Sequence, residues 1–198
     1  MRSMEHRDFF ISRLGYTGED GFEISLPADR ADAVWHKLLA HKEAKNIGLA
    51  ARDSLRLEMG YPLYGHDIDA TTSPIEADSA WIMGKRDNKD FIGAARIFNE
   101  LENGTTRKRV GLRITGKGIA REGTEIFDAT GTKQIGLLTS GGFSPTLQAA
   151  IGQGYVATKY AESGAQVNLR VRGRDIEAEI ADMPFVPAKT KKANNNKT

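Results

Sequence analysis

The stretch VNLRVRGRDIEAEI, Val167–Ile180, decides the fold class of the second half of the chain. Apolar residues alternate with polar ones on both sides of Gly173, the period of two that places successive side chains on opposite faces of a β-strand. A glycine between two such runs marks a turn. The stretch therefore predicts two antiparallel strands that are adjacent in the sequence.

The same pattern continues toward the N-terminus. RVGLRI, Arg109–Ile114, alternates in the same way, and EIFDATGTKQIGLL, Glu125–Leu138, indicates two strands around a turn at Ala129–Gly131. Short strands separated by turn residues, without helical periodicity, are typical of an antiparallel barrel or sandwich. We predict a small antiparallel β-barrel domain over residues 104–189, with a sandwich as the alternative.

The first hundred residues follow a different pattern. DFFISRL and GFEISL are strand-length apolar runs joined by a glycine-rich turn, which predicts a hairpin. Four helices are then predicted from helical spacing, good helix formers and a capping box. The first follows Asp29 as N-cap, and the second is LAARDSLRLE, which ends before Gly60. The third is TTSPIEADSAW, whose capping box is Ser73, Pro74 and Glu76, and the fourth is GAARIFNEL.

This half is short of strands. Only two are apparent beside the four helices, and two strands make a poor sheet. We therefore interpret residues 1–103 as part of an α/β domain whose remaining strands lie outside this sequence, with Trp35 and Trp81 in its core. The predicted fold class is α+β: an α/β region of antiparallel strands with helices, followed by the barrel.

The amino-acid composition excludes several classes of protein and of catalytic site. With 39% hydrophobic and 27% charged residues among 198, the chain is typical of globular proteins. No apolar run approaches the roughly 20 residues that span a bilayer, and no signal-peptide pattern opens the chain, so we expect an intracellular protein without membrane binding. The absence of cysteine excludes disulfides, thiolate nucleophiles and Cys-type zinc sites.

The basic excess is confined to the C-terminus. TKKANNNKT, residues 190–198, holds three lysines and no acid, more than the net charge of +2 of the whole chain. An Asn- and Lys-rich end without an apolar anchor predicts a disordered basic tail, with a nucleic-acid-binding arm as the alternative. The rest of the chain shows no basic stripe interleaved with aromatic residues, so we predict no nucleic-acid partner.

Two segments of the first half carry candidate binding residues. Glu23 alternates with apolar neighbours on a predicted strand, so its carboxylate could accept two parallel hydrogen bonds from a ligand; a solvated strand glutamate is the alternative. Arg52 and Arg56 lie at i, i+4 on one face of a predicted helix. They could hold an anion between them, or form a charged helix surface on which Asp53 pairs with Arg56.

Other polar clusters are interpreted as structural. In GYPLYGHDID, Gly60–Asp69, the spacing of His66 and Asp69 could suit a metal, but one histidine with acids on a loop is usually a hydrogen-bonded surface, so no metal site is predicted. Ser140 and Ser144 lack a nearby histidine base, which excludes a legible hydrolase triad. The glycine-rich segment around them lacks the lysine of a phosphate-binding loop.

Seven phrases occur in a definite order over residues 10–187. They are GYTGEDGFEI, GLAARDSLRLEMGYPLYGHDID, TSPIEADSAW, GKRDNKDFIGA, RVGL, IGLLTSGGFSPTLQAAIGQGYV and MPFVP. In this order they resemble the T-protein family of the glycine cleavage system, the tetrahydrofolate-dependent aminomethyltransferases. Sarcosine and dimethylglycine dehydrogenases and sulfoniopropionate demethylases share parts of the pattern, but AARDSLRLE together with MPFVP is similar to the T-protein itself.

The resemblance implies both a fold and an activity. The fold is a bipartite folate-binding α/β region followed by a C-terminal β-barrel. The activity is transfer of the methylene carbon of an aminomethyl group, carried on the lipoyl arm of the H-protein, to tetrahydrofolate with release of ammonia. Tetrahydrofolate would be the acceptor substrate, the lipoylated H-protein the partner, and the cytoplasm, or the mitochondrial matrix in a eukaryote, the location. No metal is expected.

The resemblance also implies three folate-site residues. The glutamate of GEDGFE, Glu23, pairs with the pterin, Tyr16 lines the folate pocket, and Arg52 is a further folate-site residue. A pterin edge presents an N–H and an amino group side by side, and a carboxylate that accepts both could contribute about 1.5–3 kcal/mol. Tyr16 could stack on or hydrogen-bond the ring. Arg52 could orient Glu23 or meet a folate carboxylate.

The chain departs from the family pattern at two points. The aspartate that assists methylene transfer belongs to the N-terminal half of the domain, which this sequence does not contain, so no catalytic residue is assigned. The tyrosine pair expected after MPFVP is replaced by the run Ala188–Lys191. Two alternatives to the enzyme therefore stay open: a non-catalytic folate-binding or H-protein-docking module, and a truncated inactive product.

Overall fold

The computed structural model describes residues 2–6, 8–84 and 89–190, which have an α+β architecture. The elements are β1 (Arg2–His6), β2 (Phe9–Arg13), β3 (Glu23–Ser25), α1 (Ala28–Leu39), α2 (Leu49–Glu58), a 3-10 helix (Ala80–Met83), α3 (Ala94–Asn103), β4 (Arg107–Ile114), β5 (Glu125–Phe127), β6 (Gln134–Ser144), β7 (Ala149–Ala157), a 3-10 helix (Thr158–Tyr160), β8 (Gln166–Val171) and β9 (Arg174–Ala181). Within these ranges, no helix has both the length and the apolar character that crossing a membrane requires. The tail predicted over residues 190–198 lies outside the described residues from residue 191 onward.

The N-terminal half contains a three-stranded antiparallel sheet in the order β1-β2-β3. The predicted hairpin is confirmed as β2 and β3, with Ile11 opposite Ile24 and Ser12 opposite Glu23. The expectation of only two strands is wrong, because β1 pairs along the whole of β2, with Met4 opposite Ile11. The sequence of β1, RSMEH, has a single apolar position, so it carries no alternation that could reveal a strand.

The first helix packs no side chain into a core. None of the 12 residues of α1 is buried, and Trp35 and Leu38 are 51% and 52% exposed. Trp81 is 79% exposed, so the prediction that both tryptophans lie in the core is wrong. The N-cap is Pro27 rather than Asp29, which lies in the first turn, where a carboxylate still interacts favourably with the helix dipole. Helical spacing predicted the amphipathic helix correctly but not whether its apolar stripe is covered.

The second helix joins the two halves of the structure. It ends before Gly60 as predicted, and Gly60 adopts a φ of 65°. Near its end Leu57 is 2% exposed and packs with Ile151 of β7 and Phe185 of the C-terminal segment. The contact buries the last turn of α2 against the barrel, so the residues that follow this turn start from a fixed position.

The capping box at Ser73 forms without the helix that it predicted. The backbone N–H of Glu76 donates to Ser73 Oγ, and that of Ser73 donates to Glu76 Oε1, both at 3.1 Å. The turn ends at Asp78, whose φ of 54° lies in the left-handed region, and the following 3-10 helix starts only at Ala80. The Glu76 carboxylate also accepts two hydrogen bonds from Arg107 of β4. The backbone carbonyls of Glu76 and Ala77 accept from Arg109 of β4, at 2.7 and 2.8 Å, so they are not available for a further helical turn.

The C-terminal half is a closed six-stranded antiparallel barrel in the order β4-β7-β6-β5-β8-β9. The pairing of β5 with β6 and of β8 with β9 confirms the strand pairs predicted from alternation, and closure excludes the sandwich. The interior is apolar. It is formed by Val110, Leu112, Ile114, Ala120, Ile126, Ile135, Leu138, Val156, Val167, Leu169, Ala178 and Ile180.

Glycines in β6 and β7 let the backbones of these strands approach closely. A Cβ atom at Gly136 would lie 2.0 Å from the carbonyl oxygen of Tyr155, a distance that no side chain tolerates. The glycine-rich segment that lacks a phosphate-loop lysine, around Ser140 and Ser144, forms the end of β6. Sequence reasoning did not predict β7, because its glycines interrupt the apolar alternation.

Candidate functional site

Tyr16, a residue implied by family resemblance, lies partly buried in the loop between β2 and β3. Its hydroxyl donates a hydrogen bond to the carbonyl of Pro62, and its ring centroid lies 5.4 Å from that of Tyr61. Burial raises the pKa of Tyr16 above its ordinary value, against the opposing effect of the Arg56 and Arg52 charges. The hydroxyl therefore stays protonated at neutral pH and remains a donor to the carbonyl.

The loop that carries Tyr16 is fixed at both of its sides. Gly18 has a φ of 73°, and a Cβ atom there would lie 2.2 Å from Sδ of Met59, just after α2. The carbonyl of Gly18 accepts a hydrogen bond from the backbone N–H of Lys189 at 2.8 Å. At the rim, Arg13 pairs with Asp20 at 2.7 Å. Lys189, shortly after MPFVP, therefore contacts the Tyr16 loop through its backbone.

Arg52 extends from the exposed face of α2 toward this loop. Its guanidinium carbon lies 5.0 Å from the Tyr16 ring centroid, within the range of a cation–π contact. The sequence placed Arg52 and Arg56 on one helix face, but their environments differ, because Arg52 is exposed and Arg56 is 4% exposed. Two of the three candidate residues, Tyr16 and Arg52, are thus brought together.

Glu23 is the first residue of β3, opposite Ser12 of β2. Its side chain is exposed, and β3 is an edge of the sheet formed by β1, β2 and β3. Within the described part of the chain, no hydrogen bond or ion pair joins Glu23 to Tyr16 or Arg52. Its carboxylate is accessible to a ligand, and the structure does not place it in contact with the other two candidates.

Arg56, one turn after Arg52 on α2, forms a buried ion pair with Asp67. The sequence did not reveal this pair. Arg56 donates from Nη1 to Asp67 Oδ2 at 2.8 Å, and the two side chains are 5% and 0% exposed. Arg56 also pairs with Asp53 at 2.7 Å, as the charged-surface alternative predicted, although the guanidinium is buried. Ser140 of β6 donates to Asp67 at 2.9 Å and accepts from Arg56 at 3.0 Å. These bonds satisfy polar atoms that burial would otherwise leave unpaired.

The segment Gly60–Leu63, which follows α2, is held by buried side chains along its length. Its contacts are Arg109 Nη1 to the Gly60 carbonyl at 2.8 Å, Gln153 Nε2 to the Tyr61 carbonyl at 3.2 Å and the Leu63 N–H to Asp67 Oδ2 at 2.8 Å. Burial lowers the pKa of Arg109, and nearby acidic groups oppose that effect. Because Pro62 lies in this segment, the bonds from the barrel also fix the carbonyl that anchors Tyr16.

A second buried carboxylate ties α2 to the barrel at a different place. Glu58, 3% exposed, accepts hydrogen bonds from Ser144 Oγ at 2.6 Å and from the Thr146 hydroxyl at 2.8 Å. Ser140 and Ser144, for which no hydrolase triad was predicted, therefore both serve as hydrogen-bonding partners of buried acids. Neither serine has a histidine among its described hydrogen-bond partners.

Two cavities flank the Gly60–Leu63 segment. The larger one, about 610 Å³, lies between α2 and the barrel and is lined in part by Asp53, Arg56 and Leu63. The second one, about 330 Å³, is lined in part by Tyr61, Pro62 and Trp81. Two of the residues that contact Tyr16, Tyr61 and Pro62, therefore belong to the wall of the second cavity, and the exposed indole of Trp81 forms part of the same wall.

The loop that follows Gly60–Leu63 contains His66 and Asp69, the two residues whose spacing could suit a metal ion. His66 Nδ1 lies 2.7 Å from Glu122 Oε2, a contact between two exposed side chains. Across the described ranges, no three His, Asp or Glu side chains are grouped as a metal ion would require. What this region offers a ligand is an aromatic ring with a guanidinium on it and cavities with aromatic and polar walls, and β3 offers the exposed carboxylate of Glu23.

Two family models match the chain in succession. The model for the GCVT N-terminal domain matches residues 2–87, and the model for the glycine cleavage T-protein C-terminal barrel domain matches residues 107–187. The second match falls on the closed barrel, and the first includes the Tyr16 loop, β3 and α2.

Curated relatives and one solved structure agree with these models. The chain is 45% identical over 194 residues to a mitochondrial aminomethyltransferase of Dictyostelium discoideum, which covers 93% of this chain and 48% of the relative. It is 43% identical over 178 residues to an aminomethyltransferase of Bacteroides thetaiotaomicron, covering 88% and 49%. A crystal structure of the glycine cleavage system aminomethyltransferase T from Bartonella henselae superposes with a TM-score of 0.92 at 42% identity, over 97% of this chain and 54% of that one. The chain spans about half the length of these relatives.

Proposed function

Because the chain belongs to the glycine cleavage T-protein family, we propose that it carries the folate-binding residues of an aminomethyltransferase. In this function the methylene carbon of a lipoyl-bound aminomethyl group passes from the H-protein to tetrahydrofolate, and ammonia is released. Tetrahydrofolate is the acceptor substrate and the lipoylated H-protein the partner. The location is the cytoplasm, or the mitochondrial matrix in a eukaryote. Residues 1–103 form part of the folate-binding domain, and residues 104–189 form the barrel domain.

One observation carries this proposal, the contact between Tyr16 and Arg52. These residues are distant in the sequence, yet their ring centroid and guanidinium carbon lie 5.0 Å apart. The contact depends on Pro62, which accepts the Tyr16 hydrogen bond. A ring fixed in this way gives a planar heterocycle a surface on which to stack without the entropic cost of ordering a loop.

Each of the three residues has a distinct role in the proposal. The exposed carboxylate of Glu23 accepts the N–H and amino hydrogens of the pterin edge as two parallel bonds, which contributes about 1.5–3 kcal/mol. Tyr16, whose hydroxyl is already bonded to Pro62, stacks on the pterin with its ring. Arg52, which contacts Tyr16 and not Glu23 in the described structure, meets a folate carboxylate. None of these three residues is assigned a proton-transfer role.

The binding roles are tested by calorimetric titration of the purified chain with folinate, the stable formylated form of tetrahydrofolate. We expect saturable binding that Glu23→Ala weakens by about 10- to 150-fold. Glu125→Ala is the matched control, because Glu125 is also an exposed first residue of a three-residue strand, in the barrel. Absence of binding by the unaltered chain, or equal loss in both variants, would contradict the proposal.

A second candidate function is a non-catalytic folate-binding or H-protein-docking module, and a truncated inactive product is the third. The contact between Tyr16 and Arg52 suits a binding module as well as an enzyme. The enzyme and the module differ in turnover with lipoylated, aminomethylated H-protein and tetrahydrofolate. We expect the isolated chain to be slow, since loss of a positioned proton-transfer group costs about 10²–10⁴-fold. Turnover equal to that of a full-length relative would contradict this expectation, and folinate binding without any turnover would favour the module.

A further inference from the structure

Asp67 is the most extensively hydrogen-bonded carboxylate in the buried region between α2 and the barrel. Its side chain is 0% exposed. It accepts bonds from the side chains of Arg56 and Gln153 at 2.8 Å, from the Leu63 N–H at 2.8 Å, and from Ser140 Oγ at 2.9 Å. The remaining carboxylate oxygen accepts from the Thr139 hydroxyl. A charge of this kind is kept in a protein interior only because so many donors surround it.

The donors to Asp67 come from parts of the chain that are otherwise separate. Arg56 belongs to α2, Ser140 to β6 and Gln153 to β7. The Leu63 N–H belongs to the Gly60–Leu63 segment, the wall shared by the two cavities. One carboxylate therefore joins a helix, two barrel strands and the segment that precedes the barrel.

The link continues from this segment to the candidate folate site. Gln153, which donates to Asp67 at 2.8 Å, also donates to the Tyr61 carbonyl at 3.2 Å. Tyr61 contacts the Tyr16 ring, and the next carbonyl, that of Pro62, accepts the Tyr16 hydroxyl. The backbone position that fixes Tyr16 is therefore set by bonds to Asp67 and its neighbours.

We infer that Asp67 is a positioning residue for ligand binding: it fixes the Gly60–Leu63 segment, and through Pro62 it holds Tyr16 in place beneath Arg52. The ligand part of this inference rests on the proposed folate function. Asp67 itself does not contact the ligand. Loss of its charge leaves the donors of Arg56, Gln153 and Leu63 facing an amide instead of a carboxylate, and the segment shifts.

The experiment compares Asp67→Asn with Glu58→Gln. Both remove the charge of a buried carboxylate that ties α2 to the barrel, but Glu58 has its side-chain bonds with Ser144 and Thr146 rather than with the Gly60–Leu63 segment. Both variants are expected to lower the melting temperature. Only Asp67→Asn is expected to disturb Tyr16.

The first readout needs no ligand. Tyrosine labelled with ¹³C at the ring carbon Cζ alone gives five signals in an NMR spectrum, one for each tyrosine of the chain, and the Tyr16 signal is the one absent from Tyr16→Phe. We expect Asp67→Asn to move this signal toward that of free tyrosine and Glu58→Gln to leave it in place. An unmoved Tyr16 signal in folded Asp67→Asn would overturn the inference, whether or not the chain binds folate.

The second readout is folinate affinity, in a double-mutant cycle. We expect Asp67→Asn to weaken binding about tenfold, and to weaken it much less in the Tyr16→Phe background, because directly coupled sites are not additive. Equal losses in the two backgrounds would mean that Asp67 does not act through Tyr16. If Tyr16 moves but the unaltered chain binds no folinate, the proposed function fails while the positioning role holds.

A milder variant covers the case in which Asp67→Asn does not fold. Gln153→Met removes one donor from Asp67, the bond to the Tyr61 carbonyl and the acceptor of one Arg109 hydrogen bond, while the Asp67 charge and its other donors stay. We expect a smaller movement of the Tyr16 signal in the same direction. A Tyr16 signal identical to that of the unaltered chain would overturn the inference in this variant as well.

Discussion

The guanidinium carbon of Arg52 lies 5.0 Å from the ring centroid of Tyr16. The arginine is on the exposed face of α2, whereas the tyrosine is on a loop whose position depends on Pro62 and Gly18. A planar guanidinium is attracted to the face of an aromatic ring and keeps its N–H donors free for an anion. The pair therefore combines a stacking surface and a positive charge at one place.

Two substitutions of Arg52 distinguish the contribution of its positive charge to ligand binding from that of its planar guanidinium. We expect Arg52→Ala to weaken folinate binding about 10-fold or more, since a bond to a charged group contributes about 1.5–3 kcal/mol. Arg52→Lys keeps the charge but not the planar donors, so an intermediate affinity is expected. Calorimetric titration measures both, with Arg113→Ala at an exposed arginine of β4 as control. Equal affinity of Arg52→Ala and the control would exclude a ligand contact.

Gly18 is expected to be irreplaceable in the Tyr16 loop. Gly18→Ala places a Cβ atom 2.2 Å from Met59 Sδ at a φ of 73°, and the left-handed conformation alone costs about 1–2 kcal/mol. We expect a lower free energy of unfolding in urea by at least that amount. Gly21→Ala in the same loop is the control, because nothing lies within 4 Å of its added Cβ atom. If the two alanine variants are equally stable, the close approach to Met59 is not maintained in solution.

The Glu76 carboxylate is expected to make the free energy of unfolding depend on pH in the acid range. Burial raises the pKa of Glu76, but hydrogen bonds from Arg107 and from the Ser73 N–H, with the nearby Arg96 charge, bring the pKa below the ordinary 4.5. A depressed pKa in the folded state stabilises the protein above pH 4.5, and this stabilisation is lost as the pH falls through the lower folded pKa. We expect Glu76→Gln to cost about 2 kcal/mol at neutral pH and progressively less below pH 4.5. A constant difference between the two proteins in urea unfolding across this range would contradict the assignment.

Tyr155 is expected to make the free energy of unfolding depend on pH in the alkaline range. Burial raises its pKa from 10.0 to about 12, while Arg109 and Arg107 act in the opposite direction. Because the folded pKa is the higher one, the stabilisation is complete below pH 10 and falls by about 2–3 kcal/mol as the pH rises to about 12. Tyr155→Phe loses the bond to the Asp67 carbonyl, and we expect it to be less stable at neutral pH with a shallower alkaline decline. An identical decline in both proteins would exclude Tyr155 as the titrating group.

The barrel was the most predictable part of the fold. Alternation around Gly173 and around Ala129–Gly131 is a local property of the sequence, and the strand pairs that it predicted, β8 with β9 and β5 with β6, are formed. The end of α2 was also predicted from a local signal, because Gly60, at a φ of 65°, follows its last turn. Elements whose signal lies within about ten residues were predicted correctly, apart from the turn at Ser73.

Features that depend on distant contacts were not predictable. The helix expected after Ser73 is replaced by a turn, because the carbonyls of Glu76 and Ala77, which a longer helix would bond internally, accept from Arg109 of β4 instead. The burial of Arg56 depends on Asp67 and on Ser140 of the barrel, and no spacing in the sequence relates these three residues. Tyr16 was identified only from family resemblance, and helix spacing related Arg52 to Arg56 rather than to Tyr16, since nothing in the local patterns indicates that Tyr16 and Arg52 meet.

The unpacked helix α1 has a consequence for how this chain opens. None of its 12 residues is buried, and a helix of this length is marginal in water without tertiary support. Its amides should therefore exchange with deuterium long before those of β6 and β7, through local opening that leaves the barrel closed. A protease offered the native chain should make an early cut in this helix, and the barrel should survive as the resistant core.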